Sequence, residues 1–600
     1  MRFGYFDDAN KEYVIERPDT PRSWTNYLGN TEYGSVITNN AGGYSFYKSG
    51  AQGRFLRFRF NAYPMDQPGR YFYLRDRKNG DFWSASWQPV GKDLRKYKST
   101  CRFGTAYAVI DSEYSGIHMH STYFVPMGQL FEYWLLTVTN NSKVKRDLSV
   151  FTYVEFASEW RMQHDLINMQ YSQHIARASY KDGIIGCNLL DNLKPDPDHF
   201  ENADQCRRTF IALAGQKISR FDTDRDVFIA PYHSYNNPAI VERGKCSNSI
   251  AYGDNVCGTM QVDLSLKPGE SRDLIVMAGI GSAAVEGRKI RREYGTMKRA
   301  RLELEKVKKH WHSYLGNLDV RTPDRDFNSM VNVWNAYNAL ITFSWSRAAS
   351  LVYQGERDGL GFRDTVQDLV GSMPLMTDAV KQRLELMLTG QVANGGAITV
   401  VKPFAHRPGH EQPPKDEHYR SDDCLWFFFA VPEYVKETGD MAFYDKVLPF
   451  ADKGEAPVLG HLKQALLFNL ERTGAHGLPC GLDADWNDCL RLGYRGETIF
   501  VTFQLRHGLM TYADICRRLG RADEQRWAGE QLAALDDKIQ ETTWDGKWFV
   551  RAYREDGSTI GSHKDAEGSI FLNPQAWAVI SGGATPDQAV TAMDSVKRRL

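Results

Sequence analysis

Between Asp483 and Asp488 the chain carries three carboxylates, an amide and an indole, within Gly481-Leu-Asp-Ala-Asp-Trp-Asn-Asp-Cys-Leu490. A carboxyl lying against the face of Trp486 is desolvated, which raises its pKa and keeps it protonated near neutrality, the state a general acid needs. The segment follows Gly477-Leu-Pro and precedes a helix, so the same residues also read as an Asx-rich turn capping that helix. A second cluster comprises Arg347, Arg357-Asp-Gly-Leu-Gly-Phe-Arg-Asp364, Gln367 and Asp368. Arg and Asp around a glycine-rich turn suit several sugar hydroxyls at once, and guanidinium suits phosphate; an ion-paired surface turn would use the same residues. The Lys-Ser/Thr of a P-loop and the GxGxxG spacing of a dinucleotide site are both absent. A third stretch, Lys402 to Arg420, sets Lys402, His406, Arg407, His410, Lys415, His418 and Arg420 against only Glu411, Asp416 and Glu417. It reads as an anion-facing loop or as a solvated rim. His406 and His410 have no third ligand at a recognisable spacing, so no metal is expected.

The elements that must position these residues divide the chain in two. Up to about Ile280 the apolar period is two. Thr259-Met-Gln-Val-Asp-Leu-Ser-Leu266 alternates strictly, and Lys267-Pro-Gly-Glu270 turns it into Leu274-Ile-Val-Met277, which predicts a hairpin. A second strand pair flanks Thr139-Asn-Asn-Ser142. Many short strands predict an antiparallel β-sandwich over 1–280. Over 281–317 the period becomes helical, with a charged connector at Met297–Tyr314. From 318 to 600, amphipathic segments (Phe327, Val331, Trp334; Val380, Leu384, Leu388) and helices near 422–437, 458–470, 500–519 and 523–542 predict a toroid of helix pairs. Gly439 and Gly520 stand where C-terminal glycines belong.

The 600 residues hold 74 Lys+Arg against 74 Asp+Glu, with 42% apolar and 25% charged residues, which argues against disorder and against a polyanion-binding surface. The 14 Trp, 30 Tyr and 31 Phe suit sugar faces as well as large cores. Nine scattered cysteines without a CxxC pair, an acidic N-terminus and no long apolar run predict reduced thiols and a soluble, cytoplasmic protein with no membrane partner.

Phe3-Gly-Tyr-Phe-Asp-Asp8, Asn26-Tyr-Leu-Gly29, Ala41-Gly-Gly-Tyr-Ser-Phe-Tyr47, Ser346-Arg347, Gly361-Phe-Arg-Asp364, Ser421-Asp-Asp423 and Ala484-Asp-Trp-Asn-Asp-Cys-Leu490 occur in one order along the whole chain. Together they resemble the cellobiose phosphorylase family of inverting β-glycoside phosphorylases, which includes chitobiose, laminaribiose and cellobionic acid phosphorylases. The resemblance implies a β-sandwich, a helical linker and an (α/α)6 barrel, and a homodimer whose partner closes the site. It implies Asp488 as general acid, Trp486 at the donor sugar, Arg357 and Asp364 as donor hydroxyl ligands with Arg363 assisting, and Arg347 at phosphate. Inorganic phosphate would be a co-substrate, with no cofactor. The expected reaction is phosphorolysis of a β-1,4-linked glucosyl disaccharide to α-D-glucose 1-phosphate.

The chain stops at Leu600 within what resembles the barrel. The family's following segment supplies a phosphate-binding His, a Thr-Gly cradle and much of the acceptor site. Because 587–599 reads as a helix started by Thr585-Pro586, a continuation beyond Leu600 is expected. The cationic stretch 402–420 points to a carboxylate-bearing acceptor, hence gluconate and cellobionic acid, with cellobiose or chitobiose next. The rival readings are an inverting hydrolase, which needs a second carboxylate such as Asp485 or Asp423 to activate water, and a non-catalytic glycan-binding protein.

Overall fold

A computed structural model describes residues 2–59, 63–158, 160–167, 174–189, 207–346, 351 and 359–600. The chain forms two compact units, Met1–Gly359 and Leu360–Leu600. Among the described residues, the first unit holds a ten-stranded, a five-stranded and a four-stranded antiparallel sheet. Trp134, Leu136 and Val276 of the ten-stranded sheet share one core with Leu148, Val150, Val262 and Leu264 of the five-stranded sheet, so the two pack face to face.

The strands flanking both expected turns are present, but their pairing differs from the expectation. Phe131–Asn140 and Ser271–Ile280 lie in the ten-stranded sheet and pair with each other. Arg146–Tyr153 and Val256–Leu266 lie in the five-stranded sheet and pair with each other. Each predicted hairpin is therefore an arch that carries the chain from one layer to the other, and the two arches are nested. Alternation reports that a strand is half buried, not which strand it bonds. The corners meet at buried Asn140, whose Nδ2 donates to Val144 O (2.8 Å) and Leu266 O (3.0 Å). Its backbone joins the other corner through Asn140 N to Glu270 O (3.0 Å) and Gly269 N to Asn140 O (2.7 Å).

The connector is the helix Met297–Leu315, capped by Thr296 and burying Ala300, Val307, Trp311 and Leu315 along one stripe. The helical run 325–345 packs on the strands of this same unit: Trp334 lies against Phe6 and Tyr13, and Tyr337 Oη donates to Asn26 Oδ1 at 3.0 Å. Phe327, expected on the apolar stripe, is 50% exposed; Val333, Tyr337 and Leu340 form the buried face instead. A π-helical turn over Met330–Asn335 shifts the phase of the stripe.

The helices of the second unit are α1 (Phe362–Ser372), α2 (Thr377–Leu388), α3 (Phe427–Thr438), α4 (Val458–Glu471), α5 (Ile499–Arg518), α6 (Ala522–Thr542), α7 (Leu572–Ile580) and α8 (Pro586–Arg599). Val380, Leu384 and Leu388 are buried on α2 as their spacing predicts. Gly439 ends α3 with φ +73° and Gly520 follows α5 with φ +68°, conformations that cost a residue with a Cβ. Thr585 and Gln588 cap α8 reciprocally. No helix among the described residues is long and apolar enough to cross a membrane.

Candidate active site

The acid-rich segment 481–490 lies in the long connection between α4 and α5, and backbone bonds fix it before any side chain acts. Residues 419–421 run beside 482–484, with Asp483 N bonded to Tyr419 O and Ser421 N to Ala484 O, both at 3.1 Å. This ladder sets Ser421-Asp-Asp423 next to Ala484-Asp-Trp-Asn-Asp488, two motifs far apart in sequence.

Asp485 anchors the loop from below. Its buried carboxylate accepts two bonds from Arg551 Nη2 (2.8 and 2.6 Å), one from Thr498 Oγ1 (2.6 Å) and one from the Asn487 amide (2.9 Å). A carboxylate so fully engaged is a structural group, which removes Asp485 as a water-activating base. Asn487 then turns the chain, its Oδ1 accepting from Cys489 N and its carbonyl from Leu490 N. The Asx turn expected from the sequence is real, but it caps no helix, since α5 begins at Ile499.

Arg363 projects from the first turn of α1 into this loop. Its Nη1 donates to Asp422 Oδ1 (2.7 Å) and Asp485 O (2.6 Å); its Nη2 donates to Trp486 O (3.3 Å) and Asp488 Oδ1 (2.5 Å). With a side chain 9% exposed, it holds the loop's backbone and the expected acid together. Asp364 follows it; a side chain at 361 would come 2.8 Å from Asp364 Oδ2, so glycine there leaves that carboxylate its place. Behind Arg363, Asp422 also accepts from Trp426 Nε1 at 2.9 Å. Burial pushes both Asp422 and Asp423 up, Asp485 adds to the rise of Asp422, and Asp422 adds to that of Asp423. Asp422 has the guanidinium, so the proton stays on Asp423, which is pushed up to about 8.

Asp488 corrects the electrostatic expectation. Its carboxylate is half exposed and bonded on Oδ1 by both Arg363 Nη2 (2.5 Å) and Arg420 Nε (3.1 Å). Partial burial raises its pKa, but the two guanidiniums outweigh that and hold it below the usual carboxylate range. Trp486 is 48% exposed, so its ring is open to solvent and does little to desolvate its surroundings. At an effective dielectric of about 20, one charge at about 4 Å is worth on the order of 4 kcal/mol, more than one exposed ring removes by excluding water.

The structure thus brings Asp488, Arg363 and Trp486 into one cluster, with Asp364 next to Arg363 on α1. Arg347 and Arg357 lie outside the described residues. Two contributors escaped the sequence reading. Arg420 carried a signal only as one cation of the 402–420 stretch, and Arg551 carried none, because its role comes from a contact with Asp485. Within that stretch His406 turns inward, pairing with Glu411 Oε1 at 2.8 Å, while His410, Lys415 and His418 remain exposed. Among the described residues no three His, Cys, Asp or Glu side chains group as metal ligands.

Two family descriptions match the chain: "Glycosyl hydrolase 94, supersandwich domain" over residues 11–297 and "Glycosyl hydrolase 94 superfamily, catalytic domain" over residues 310–600. The chain belongs to glycosyl hydrolase family 94. This family-94 enzyme is 36% identical over 620 residues to the N,N'-diacetylchitobiose phosphorylase of Vibrio proteolyticus, a match spanning 100% of the chain and 76% of the relative. It is 29% identical to the solabiose phosphorylase of Paenibacillus borealis, over 100% of the chain and 74% of that protein. To the cellobionic acid phosphorylase of Neurospora crassa it is 24% identical, over 89% of the chain and 65% of that protein. A bacterial glucoamylase complexed with acarbose superimposes with a TM-score of 0.56 at 9% identity, covering 98% of the chain and 82% of the glucoamylase. That likeness concerns fold, and it places the family-94 enzyme's second unit among (α/α)6 barrels.

Proposed function

We propose that the protein catalyses the reversible, inverting phosphorolysis of a β-linked disaccharide, giving an α-sugar 1-phosphate and a free sugar. The observation that carries this is Asp488, half exposed on a braced loop, while neither of the two carboxyls considered as its hydrolytic partner, Asp485 and Asp423, is free to act. An inverting hydrolase needs a second carboxylate to activate water. Asp485 is saturated by Arg551, Thr498 and Asn487, and Asp423 is buried and protonated, which favours a nucleophile brought by the medium. Inorganic phosphate is such a nucleophile. Asp488 protonates the glycosidic oxygen while phosphate attacks the anomeric carbon from the opposite face. Arg347 would neutralise the entering anion, and its binding beside the sugar supplies proximity that bulk phosphate lacks. Arg357 and Asp364 would hold donor hydroxyls. Phosphate is then a co-substrate, and the chemistry calls for no cofactor.

The acceptor is the finer question. The case for gluconate rested on the charge of 402–420, where His406 is now compensated by Glu411 and Arg420 by Asp488. The 36% identity to a chitobiose phosphorylase against 24% to a cellobionic acid phosphorylase favours N,N'-diacetylchitobiose. A homodimer in the cytoplasm completes the reading, and light scattering tests the dimer. The deciding assay incubates N,N'-diacetylchitobiose, cellobiose and cellobionic acid with and without phosphate, scoring sugar 1-phosphate and free sugar. Sugar phosphate formed only with phosphate supports phosphorolysis; free sugar alone, at a rate indifferent to phosphate, replaces it with hydrolysis. Asp488→Asn should lower turnover at least about 100-fold with thermal unfolding unchanged, the loss typical for a general acid.

A further inference from the structure

The proposed reaction contains a difficulty that the geometry itself raises. A general acid must hold a proton, yet Asp488 Oδ1 takes two charge-assisted bonds, from Arg363 Nη2 at 2.5 Å and Arg420 Nε at 3.1 Å. The two guanidiniums are not equivalent. Arg363 is enclosed and also bonded to Asp422 Oδ1, Asp485 O and Trp486 O, so it is part of the loop's frame. Arg420 is 24% exposed, and among the described residues its bond to Asp488 is its one side-chain hydrogen bond. Its backbone is fixed by the ladder to 482–484, while its guanidinium reaches Asp488 through Nε.

We propose that Arg420 is a positioning residue that holds Asp488 as a carboxylate in the empty site and yields when a disaccharide arrives, so that Asp488 takes up its proton only in the occupied site. This rests on the phosphorylase reading and deepens it. The sugar covers the half-exposed Asp488 and excludes water, and the acceptor's hydroxyls compete for the Arg420 N–H groups; both effects favour the protonated acid. The proton balance closes on the substrates. Hydrogen phosphate brings one proton and loses it as its oxygen bonds the anomeric carbon. The glycosidic C–O bond breaks, its electron pair goes to the leaving oxygen, and that oxygen gains one proton through Asp488. Among the described residues, the other ionisable groups around the acid are Arg363 and Asp364 on α1, Asp422 and Asp423 on the turn before α3, Asp483 paired with Arg491 on the loop itself, and Asp485 with Arg551 beneath it. Asp422 and Asp485 are each already matched to an arginine, which leaves Arg420 as the adjustable charge.

The test is the pH dependence of disaccharide turnover at saturating phosphate in the wild type, Arg420→Gln and Arg420→Lys. The alkaline limb of kcat/KM follows the acid in the free enzyme, and that of kcat follows it in the complex. In the wild type the kcat limb should lie above the kcat/KM limb. Arg420→Gln should move the kcat/KM limb upward by at least about half a pH unit and narrow the gap, while Arg420→Lys restores most of it. Phosphate titrates identically in all three proteins, so the differences belong to the enzyme. An unmoved kcat/KM limb in a folded Arg420→Gln enzyme overturns the inference. Should that variant not fold, a carbon-13 titration of the Asp488 carboxyl in the wild type decides: a midpoint below the ordinary range supports the clamp, and one at or above it refutes the clamp. The two ideas fail separately. Full activity in Asp488→Asn removes the phosphorylase assignment of the acid, whereas an inactive Asp488→Asn with an unmoved Arg420→Gln limb removes only the clamp.

Discussion

Asp423 shows how a buried charge can be avoided rather than compensated. Its neighbour Asp422 takes the guanidinium of Arg363, and burial beside that anion pushes Asp423 up to about 8. A carboxyl whose folded pKa is raised contributes stability that is fully present below its unfolded pKa, near 4, and is lost as pH rises through 8. Asp423→Asn keeps a neutral side chain of the same shape at every pH. The melting temperature of the variant relative to the wild type should therefore rise by at least about 2 °C between pH 5 and pH 9. A difference constant across that range contradicts a protonated Asp423. Asp488 and Trp486 were legible at this scale because carboxylates crowded around an indole form a local pattern. The ionisation of Asp488 was not legible, since it is set by Arg363 and Arg420, and nothing local in the sequence says which guanidinium will meet which acid.

Elements were read more reliably than their partners. The stripe on α2, the caps of α3 and α8 and the span of α5 follow from local spacing and end chemistry, and all are present. The strands 131–140, 146–153, 256–266 and 271–280 were equally visible, but their turns read as hairpins and proved to be arches. Turn residues bend a chain in either case, and the choice between pairing at the bend and crossing to the facing sheet is made by burial of both sheet faces. Asn140 is the residue on which both bends depend. Asn140→Ala removes the side-chain donor to the buried Leu266 carbonyl and one of the donors to Val144 O, and its cost should be about 1–3 kcal/mol in urea unfolding. A loss within measurement error would mean that the corners hold without it.

Across the whole chain a net charge of zero conceals a heavily charged interior. Glu132 in the ten-stranded sheet is wholly buried, pairs with Arg70 and accepts from Ser45 Oγ and Trp134 Nε1, both at 2.6 Å. Arg70 also donates to Ser45 Oγ (2.6 Å) and Tyr44 O (3.1 Å), tying the four-stranded sheet to the ten-stranded one. Arg70, Arg75 or Arg77 would have looked alike from sequence. Removing one member of such a pair leaves an unmatched buried charge, so Glu132→Gln should cost about 3–5 kcal/mol by denaturant unfolding. A loss under about 1 kcal/mol would show that Arg70 finds another counter-ion.

The bond between Asp485 and Arg551 reaches across α5 and α6. During synthesis every residue of the 481–490 loop leaves the ribosome well before that arginine does. Until Arg551 emerges, Asp485 has no counter-charge to draw it inward, and the turn it anchors has no floor. The turn is thus completed only after both intervening helices have been made, by a residue remote from it in sequence.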